Sequence, residues 1–266
     1  MLCFCIIGLY LCALKIIIVM ERKELFEKFI EDCQKAKQIC GAGNPNANIL
    51  LVGQEHYAPK PIINEEDWNS YLNDNYRYCK ERTTWVVDNK SKTWYYYQKL
   101  VDKSIGRETK RSKTKDFEEF AFTTELNNEV KPSSRIEGEN KTQRKEKREQ
   151  LHKRIAQRLQ LFKHSDFIQS FPVIVLACGP YIVNRKEKGL LQINDTFNVI
   201  FDEDQNEQGV PKGWHKSGKM WFATHHNPHD PTKLVIHTCQ LSRADKDLLD
   251  KMANVINEHL HRFGYL

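Results

Sequence analysis

The chain has 266 residues, with 41 Lys plus Arg against 35 Asp plus Glu, a formal net charge of +6, and 40% hydrophobic content. That size and composition, without internal repeats, exclude a low-complexity or repeat architecture and describe a globular protein of one large domain with insertions. The mild basic excess suits an anionic partner such as nucleic acid only where it is gathered on one surface; from charge alone a solvated surface is the better reading.

Residues Met1 to Val19 are nearly all apolar, broken by Lys15. No basic residue precedes the run and no small-x-small cleavage site follows it, so a signal peptide or membrane anchor fits poorly. The favoured alternative is that Met20 is the true start, because Met20-Glu21-Arg22-Lys23-Glu24 opens an ordinary amphipathic helix; a membrane-anchored form stays open. The expected division is an apolar segment 1–19 and a single domain 20–266, with a basic insertion around 131–150. The eight cysteines, Cys3, Cys5, Cys12, Cys33, Cys40, Cys79, Cys178 and Cys239, form no C-x-x-C pair. They read as buried thiols of a reducing compartment, hence a cytoplasmic protein, and not as a disulfide framework or a zinc site.

From Glu21 to Lys37, Leu25, Phe26, Phe29, Ile30 and Cys33 recur at helical spacing and give a helix with one buried face. Cys40 to Asn46 is a turn-rich link; its lone G-x-G precedes a strand, where a dinucleotide fingerprint should follow one. Next comes Asn48-Ile49-Leu50-Leu51-Val52-Gly53-Gln54-Glu55-His56-Tyr57. Four consecutive apolar residues cannot alternate faces, so the strand must be covered on both sides, as in a parallel α/β sheet. Ligands bind beyond the carboxyl ends of such strands. Gly53 allows a sharp turn or close approach, and a carboxylate, an imidazole and a phenol follow at Glu55, His56 and Tyr57. A strand-end turn with solvated polar residues is the alternative.

Ala58 to Asp116 holds the aromatic cluster Trp85, Trp94, Tyr95, Tyr96 and Tyr97, which suits packing of a helix onto the body better than stacking on bases. Phe117 to Asn128 reads as a second strand ending in polar residues. Lys131 to Gln150 is hydrophilic and expected to be mobile, and Asn140 to Lys163 carries nine basic residues against two acidic ones. The later half is helical with Leu151, Ile155, Leu159 and Phe162 on one face, so Lys145, Arg148, Lys153 and Arg154 fall on an outward, phosphate-contacting surface; charge runs on helices are more often simply solvated. Phe171 to Pro180 is a third strand, apolar on both faces and broken at Gly179-Pro180. Phe197 to Phe201 and Lys219 to Thr224 look like strands around the acidic loop Asp202 to Gly213. Leu234 to Thr238 is a fourth strand candidate, and Ser242 with Asp245 resembles the cap of a last helix carrying Leu248, Leu249, Met252, Val255, Ile256 and Leu260 inward. Two doubly covered strands separated by helices make a doubly wound sheet the economical architecture.

His215, His225, His226, His229 and His237 lie within 23 positions. Clustering favours a metal, yet no H-x-x-x-H pair on a helix supports one, and Pro228 argues against a helix joining His225 to His229. No metal site and no cofactor are expected.

Together these pieces resemble the uracil-DNA glycosylase superfamily, whose members carry a G-Q-D-P-Y-H or G-E-x-P-G type loop after one strand, an asparagine ending a second, a V-I-x-x-x-G strand, and an H-P-S type loop before the last helix. Leu51-Val52-Gly53-Gln54-Glu55-His56-Tyr57 looks like the first element, with Glu55 where the family's water-activating Asp stands and His56 in place of its proline. Val173 to Gly179 looks like the third. The base-reading asparagine is Asn127, or Glu125 has taken its place. Where H-P-S is expected the chain has Cys239-Gln240-Leu241-Ser242, which matches only at Ser242; alternatively Thr224-His225-His226-Asn227-Pro228 supplies the histidine.

The resemblance implies a three-layer α/β/α fold with a central, mostly parallel four-stranded sheet. It also implies a DNA glycosylase-like hydrolase, monomeric and acting on DNA, with Glu55 and His225 or His226 catalytic and Gly53, Gln54, His56, Tyr57, Asn127 and Ser242 around the base. Breaking an N-glycosidic bond puts positive charge on the sugar and negative charge on the departing base, so a carboxylate and a donor are both required. The rival readings are a non-catalytic module that recognises nucleic acid or a modified base on the same fold, and, more weakly, a hydrolase of small nucleotide-like substrates.

Overall fold

A computed structural model describes residues 21–55, 64–81, 91–108, 115–128, 141–182, 184–185, 190–202 and 213–266. The expectations for Met1 to Val19, for His56 and Tyr57, for Trp85 and for residues 131–140 lie outside the described residues.

Helix α1 (residues 21–35) buries Phe26, Phe29, Ile30 and Cys33, the face that the spacing predicts. There follow β1 (Ala42–Gly43), β2 (Ile49–Glu55), α2 (Glu65–Glu81), α3 (Lys92–Ser104), β3 (Ala121–Asn127), α4 (Lys141–Lys163), α5 (Asp166–Gln169) and β4 (Val173–Leu176). Then come β5 (Asn184–Arg185), β6 (Leu190–Leu191), α6 (Gln192–Phe197), β7 (Ile200–Phe201), β8 (Trp214–Ser217), β9 (Met220–His226), β10 (Leu234–Thr238) and α7 (Lys246–Arg262).

The fold is α/β around a mixed sheet. Eight strands run in the order β1-β3-β2-β4-β10-β9-β7, with β8 also on β9, and β5 and β6 form a separate ribbon. The sheet is therefore larger and more mixed than the four mostly parallel strands expected. At its centre β3, β2, β4 and β10 are mutually parallel, while β1 and β9 join antiparallel.

The apolar runs explain this centre. Leu50 and Val52 with Ile174 and Leu176 face α1, α2, α4, α5 and α6; Ile49 and Leu51 with Val173, Val175, Leu234 and Ile236 face α3 and α7. Each of these ten or so side chains, taken fully out of water, contributes about 1.5–3 kcal/mol, which is why the strands cannot sit at a solvated edge.

Several expectations are corrected. The second strand begins at Ala121, because Phe117–Glu119 forms a 3-10 turn that buries Phe117. Residues 141–150 belong to one continuous helix with 151–163 in place of a mobile segment. Within α4, one of the nine basic residues of 140–163, Arg158, is wholly buried. Residues 192–197 form α6, which leaves only Ile200–Phe201 as strand, and β8 went unforeseen. The last helix is capped by Asp245, whose Oδ1 accepts the Leu248 amide N–H at 2.8 Å; Ser242 sits in the preceding turn. Of the tyrosine cluster on α3, Tyr97 is buried against Phe117, whereas Tyr95 is 47% exposed. No helix among the described residues is long and apolar enough to cross a membrane.

Candidate functional site

The site follows from where pairing stops. Strand β2 pairs with β4 only from Ile49 to Val52, but with β3 from Ile49 through Glu55. Gly53 and Gln54 thus belong to the strand and not to a loop, and they outrun β4, which turns away at Cys178-Gly179-Pro180. The backbone ladder between the two strands is notched at their carboxyl ends. Because β3 lies on one side of β2 and β4 on the other, the crossovers diverge here, and such a switch point is where open α/β sheets hold ligands.

Gly179 lies at the centre of the notch. Its φ of +52° is left-handed, which an L side chain adopts only at a cost. A Cβ there would lie 3.4 Å from the Gln54 amide nitrogen, 3.8 Å from Cys239 Cα and 4.0 Å from the Gln240 nitrogen. The Gln54 Nε2 donates to the Cys178 carbonyl at 3.0 Å, and His237 Nε2 lies 2.9 Å from the Gly179 carbonyl. The ends of β2, β4 and β10 are thereby tied together around one glycine.

The β3 side adds carboxamide and carboxylate. Asn127 stands in register beside Glu55 and is buried, its Oδ1 accepting from Arg154 Nε at 3.3 Å. Glu125, in register with Gly53, folds its carboxylate over that glycine: an added Cβ would meet Oε2 at 2.1 Å. A side chain at position 53 would have to displace the Glu125 carboxylate from the space it occupies. Arg158 holds the same strand from the opposite face, donating to the Glu125 carbonyl (3.0 Å), the Thr124 hydroxyl (2.7 Å) and the Gln38 amide oxygen (3.1 Å).

The electrostatics of the notch keep its ring and thiol neutral. Burial pulls His237 down to about 4, against a small opposing effect of the Gly179 carbonyl. Burial, then the Glu125 carboxylate, push the Cys178 thiol well up, so it serves as a donor to the Val52 and Gly53 carbonyls and not as a nucleophile.

The expected site residues divide. Gly53, Gln54, Glu55, Asn127 and, in the turn after β10, Ser242 share the carboxyl end; of the Glu55 side chain nothing is described. His225 and His226 do not join them. On antiparallel β9 they pair with Val235 and Leu234, level with Leu50 and Ile49 at the amino end of the parallel strands. His226, level with Ile49, is six strand steps from Glu55, about 20 Å, whereas His225, level with Leu50, is two steps from His237, level with Val52.

There His225 is buried, Nδ1 3.3 Å from the Val235 carbonyl, and burial followed by His237 lowers it to about 4. His226 Nδ1 lies 2.9 Å from the Asp202 carboxylate, which also accepts from Thr224. Burial raises the Asp202 carboxyl, but those two hydrogen bonds outweigh it and hold it below its usual range. This pair fastens β9 beside β7.

Of the basic residues, Arg148 and Lys153 are exposed, Arg154 is half-buried on Asn127, and the Lys145 side chain is outside the described set. Among the described residues no three His, Cys, Asp or Glu side chains converge as metal ligands. The described cysteines are free thiols.

Comparison with family models, curated proteins and solved structures returns no match. The chemistry of the site therefore stands on its own residues. It brings together the Gln54 amide, the Cys178 and Gly179 carbonyls and the neutral His237 imidazole, with the Glu125 carboxylate over Gly53. His237 is the functional candidate that sequence reasoning passed over. It sits inside an apolar strand run, and only its place as the last inward position before Thr238 and the C-Q-L-S turn could have singled it out.

Proposed function

We propose that the chain is a divergent protein of the uracil-DNA glycosylase fold and hydrolyses the N-glycosidic bond of a modified base in DNA. The observation that carries the reading is the placing of Gln54, Glu55, Asn127 and His237 toward the carboxyl ends of adjacent parallel strands, with the Gln54 amide on the Cys178 carbonyl and His237 on the Gly179 carbonyl.

In this scheme the base, turned out of its stack, enters the notch and is read by the Gln54 and Asn127 amides. Glu55, at the end of β2, orients the attacking water and stabilises the cationic sugar. His237, neutral because it is buried, donates toward the oxygen of the departing base and offsets its developing negative charge without carrying a positive charge itself. The exposed Arg148 and Lys153 on α4 take phosphates. His226, level with the first rung of the parallel strands, and His225, turned onto the Val235 carbonyl two rungs from His237, have no part in it.

Base recognition without cleavage is favoured by one observation: His237 Nε2 is engaged by the Gly179 carbonyl, so it must leave that partner before it can donate to a base. The test is abasic-site formation on oligonucleotides bearing uracil or another deaminated base, comparing the chain from Met20 with its Glu55→Gln and His237→Asn variants. Cleavage lost in both variants supports hydrolysis. Salt-sensitive binding without cleavage in the parent protein replaces it with recognition alone.

A further inference from the structure

We propose that the β8–β9 hairpin is a stacking platform for single-stranded nucleic acid running out of the notch. The inference rests on the notch being a base site and adds the strandedness of what enters it.

The register places the hairpin. Thr238 pairs with Phe222 and His237 with Ala223, so Trp221 lies level with Cys239, and the turn between Ser217 and Met220 projects beyond the carboxyl ends of the parallel strands. Gly218, with φ +56°, supplies the left-handed residue of that two-residue turn. The Thr238 hydroxyl donates to the Trp221 carbonyl at 2.7 Å, fastening the hairpin to the segment that lines the notch.

On one face of the hairpin the rings form a continuous series. The Trp221 ring stands edge-on to His237, centroids 4.9 Å apart, and His237 in turn touches the Gly179 carbonyl. Trp214 lies parallel on Trp221 at 4.8 Å and 12°. The Lys216 ammonium is 5.6 Å from the Trp214 centroid, and both Lys216 and Lys219 are exposed.

A cross-strand aromatic pair can serve only to hold a hairpin together. What assigns this one to nucleic acid is its direction and charge: it leads from a notch for one base to an edge strand and turn carrying Lys216 and Lys219. Successive bases of a flexible strand can stack on such rings while the lysines meet the phosphates. A duplex cannot present its bases to a wall beside the notch, because its bases are already stacked on one another.

The decisive experiment uses the chain from Met20 with oligo-dT and oligo-U, their matching duplexes, and an oligo-dT carrying 5-iodouracil for photocrosslinking. Binding followed by anisotropy should favour the single strands over the duplexes by about ten-fold or more, with the two sugars compared directly, and crosslinks should map to 213–221. Trp214→Ala should weaken single-strand binding on the order of ten-fold and leave duplex binding unchanged, while Lys216→Ala should reduce the salt slope by about 0.7.

Crosslinking is read on the unaltered protein, so a variant that fails to fold does not decide the matter. Equal affinity for single strand and duplex, or crosslinks confined to segments outside 213–221, would overturn the platform. Crosslinks at Trp214 with no base excision would leave the platform standing and remove the hydrolase; excision that persists in Trp214→Ala, with crosslinks elsewhere, would do the reverse.

Discussion

Gln54 donates its side-chain amide to the carbonyl of Cys178 at 3.0 Å, two residues beyond the last paired position of β2 and β4, Val52 with Leu176. A side chain thus continues the sheet where the main chain stops, and it fixes the width of the notch. Gln54→Leu removes one partly buried hydrogen bond, which predicts a stability loss of about 1 kcal/mol. If the amide also reads the ligand, affinity for a base-containing oligonucleotide falls by about ten-fold or more, well beyond that loss of stability. Urea unfolding beside a binding titration separates the two.

Gly53 and Glu125 form a coupled pair. Gly53→Ala sets a methyl group 2.1 Å from Oε2 of Glu125 and should destabilise the fold by about 1–3 kcal/mol. Adding Glu125→Ala removes the collision. The double variant should therefore be more stable than additivity allows, with a coupling of at least about 1 kcal/mol in a double-mutant cycle. Strict additivity would show that the carboxylate does not lie on the glycine.

The histidines give an opposed set. His226→Gln breaks the pair with Asp202 at the amino end and should leave base excision within about two-fold of the parent. His237→Asn should lower it by about 100-fold or more, the scale of a lost proton donor. Rates are compared at a temperature where melting curves show each variant folded. Loss of activity in His226→Gln alone would return the catalytic role to the β9 histidines.

Stability should fall on mild acidification. His225 and His237 are both lowered to about 4, burial being the main cause. Between pH 6.5 and 4 the unfolded chain binds protons that the fold refuses, so stability rises with pH in this window and is lost as pH falls through it, by on the order of 3 kcal/mol for either ring. The urea midpoint measured from pH 7 to 4.5 should decline steadily, and less steeply in His237→Asn. A flat profile would mean the rings are not buried as neutral species.

Arg158→Met tests the buried guanidinium. It removes the donors to the Glu125 carbonyl, the Thr124 hydroxyl and the Gln38 amide together. The cost of leaving those acceptors buried and unmatched should be about 3 kcal/mol or more, whereas Arg148→Met, at an exposed position of the same helix, should change stability by less than about 0.5 kcal/mol.

The sequence by itself determined the four central strands, because runs such as Leu50-Leu51-Val52 and Val173-Ile174-Val175-Leu176 are apolar at every position and are stable only between two helical layers. It also determined the buried faces of α1 and α7, where apolar residues return every three or four positions. The short strands β1, β7 and β8 were not legible, since two to four residues carry no period and are strand only because β3 or β9 offers a partner.

The site divides in the same way. Gly53, Gln54, Glu55 and Asn127 could be named from strand ends alone, because a strand's end is marked by a local change from apolar to polar residues. Which histidine joins them could not. His225 and His237 are both buried on neighbouring strands only two rungs apart, but His225 is held on the Val235 carbonyl while His237, nearer the carboxyl end of β10, reaches the Gly179 carbonyl. Which carbonyl each ring meets is set by how the whole chain crosses the sheet, so only the tertiary structure could decide it.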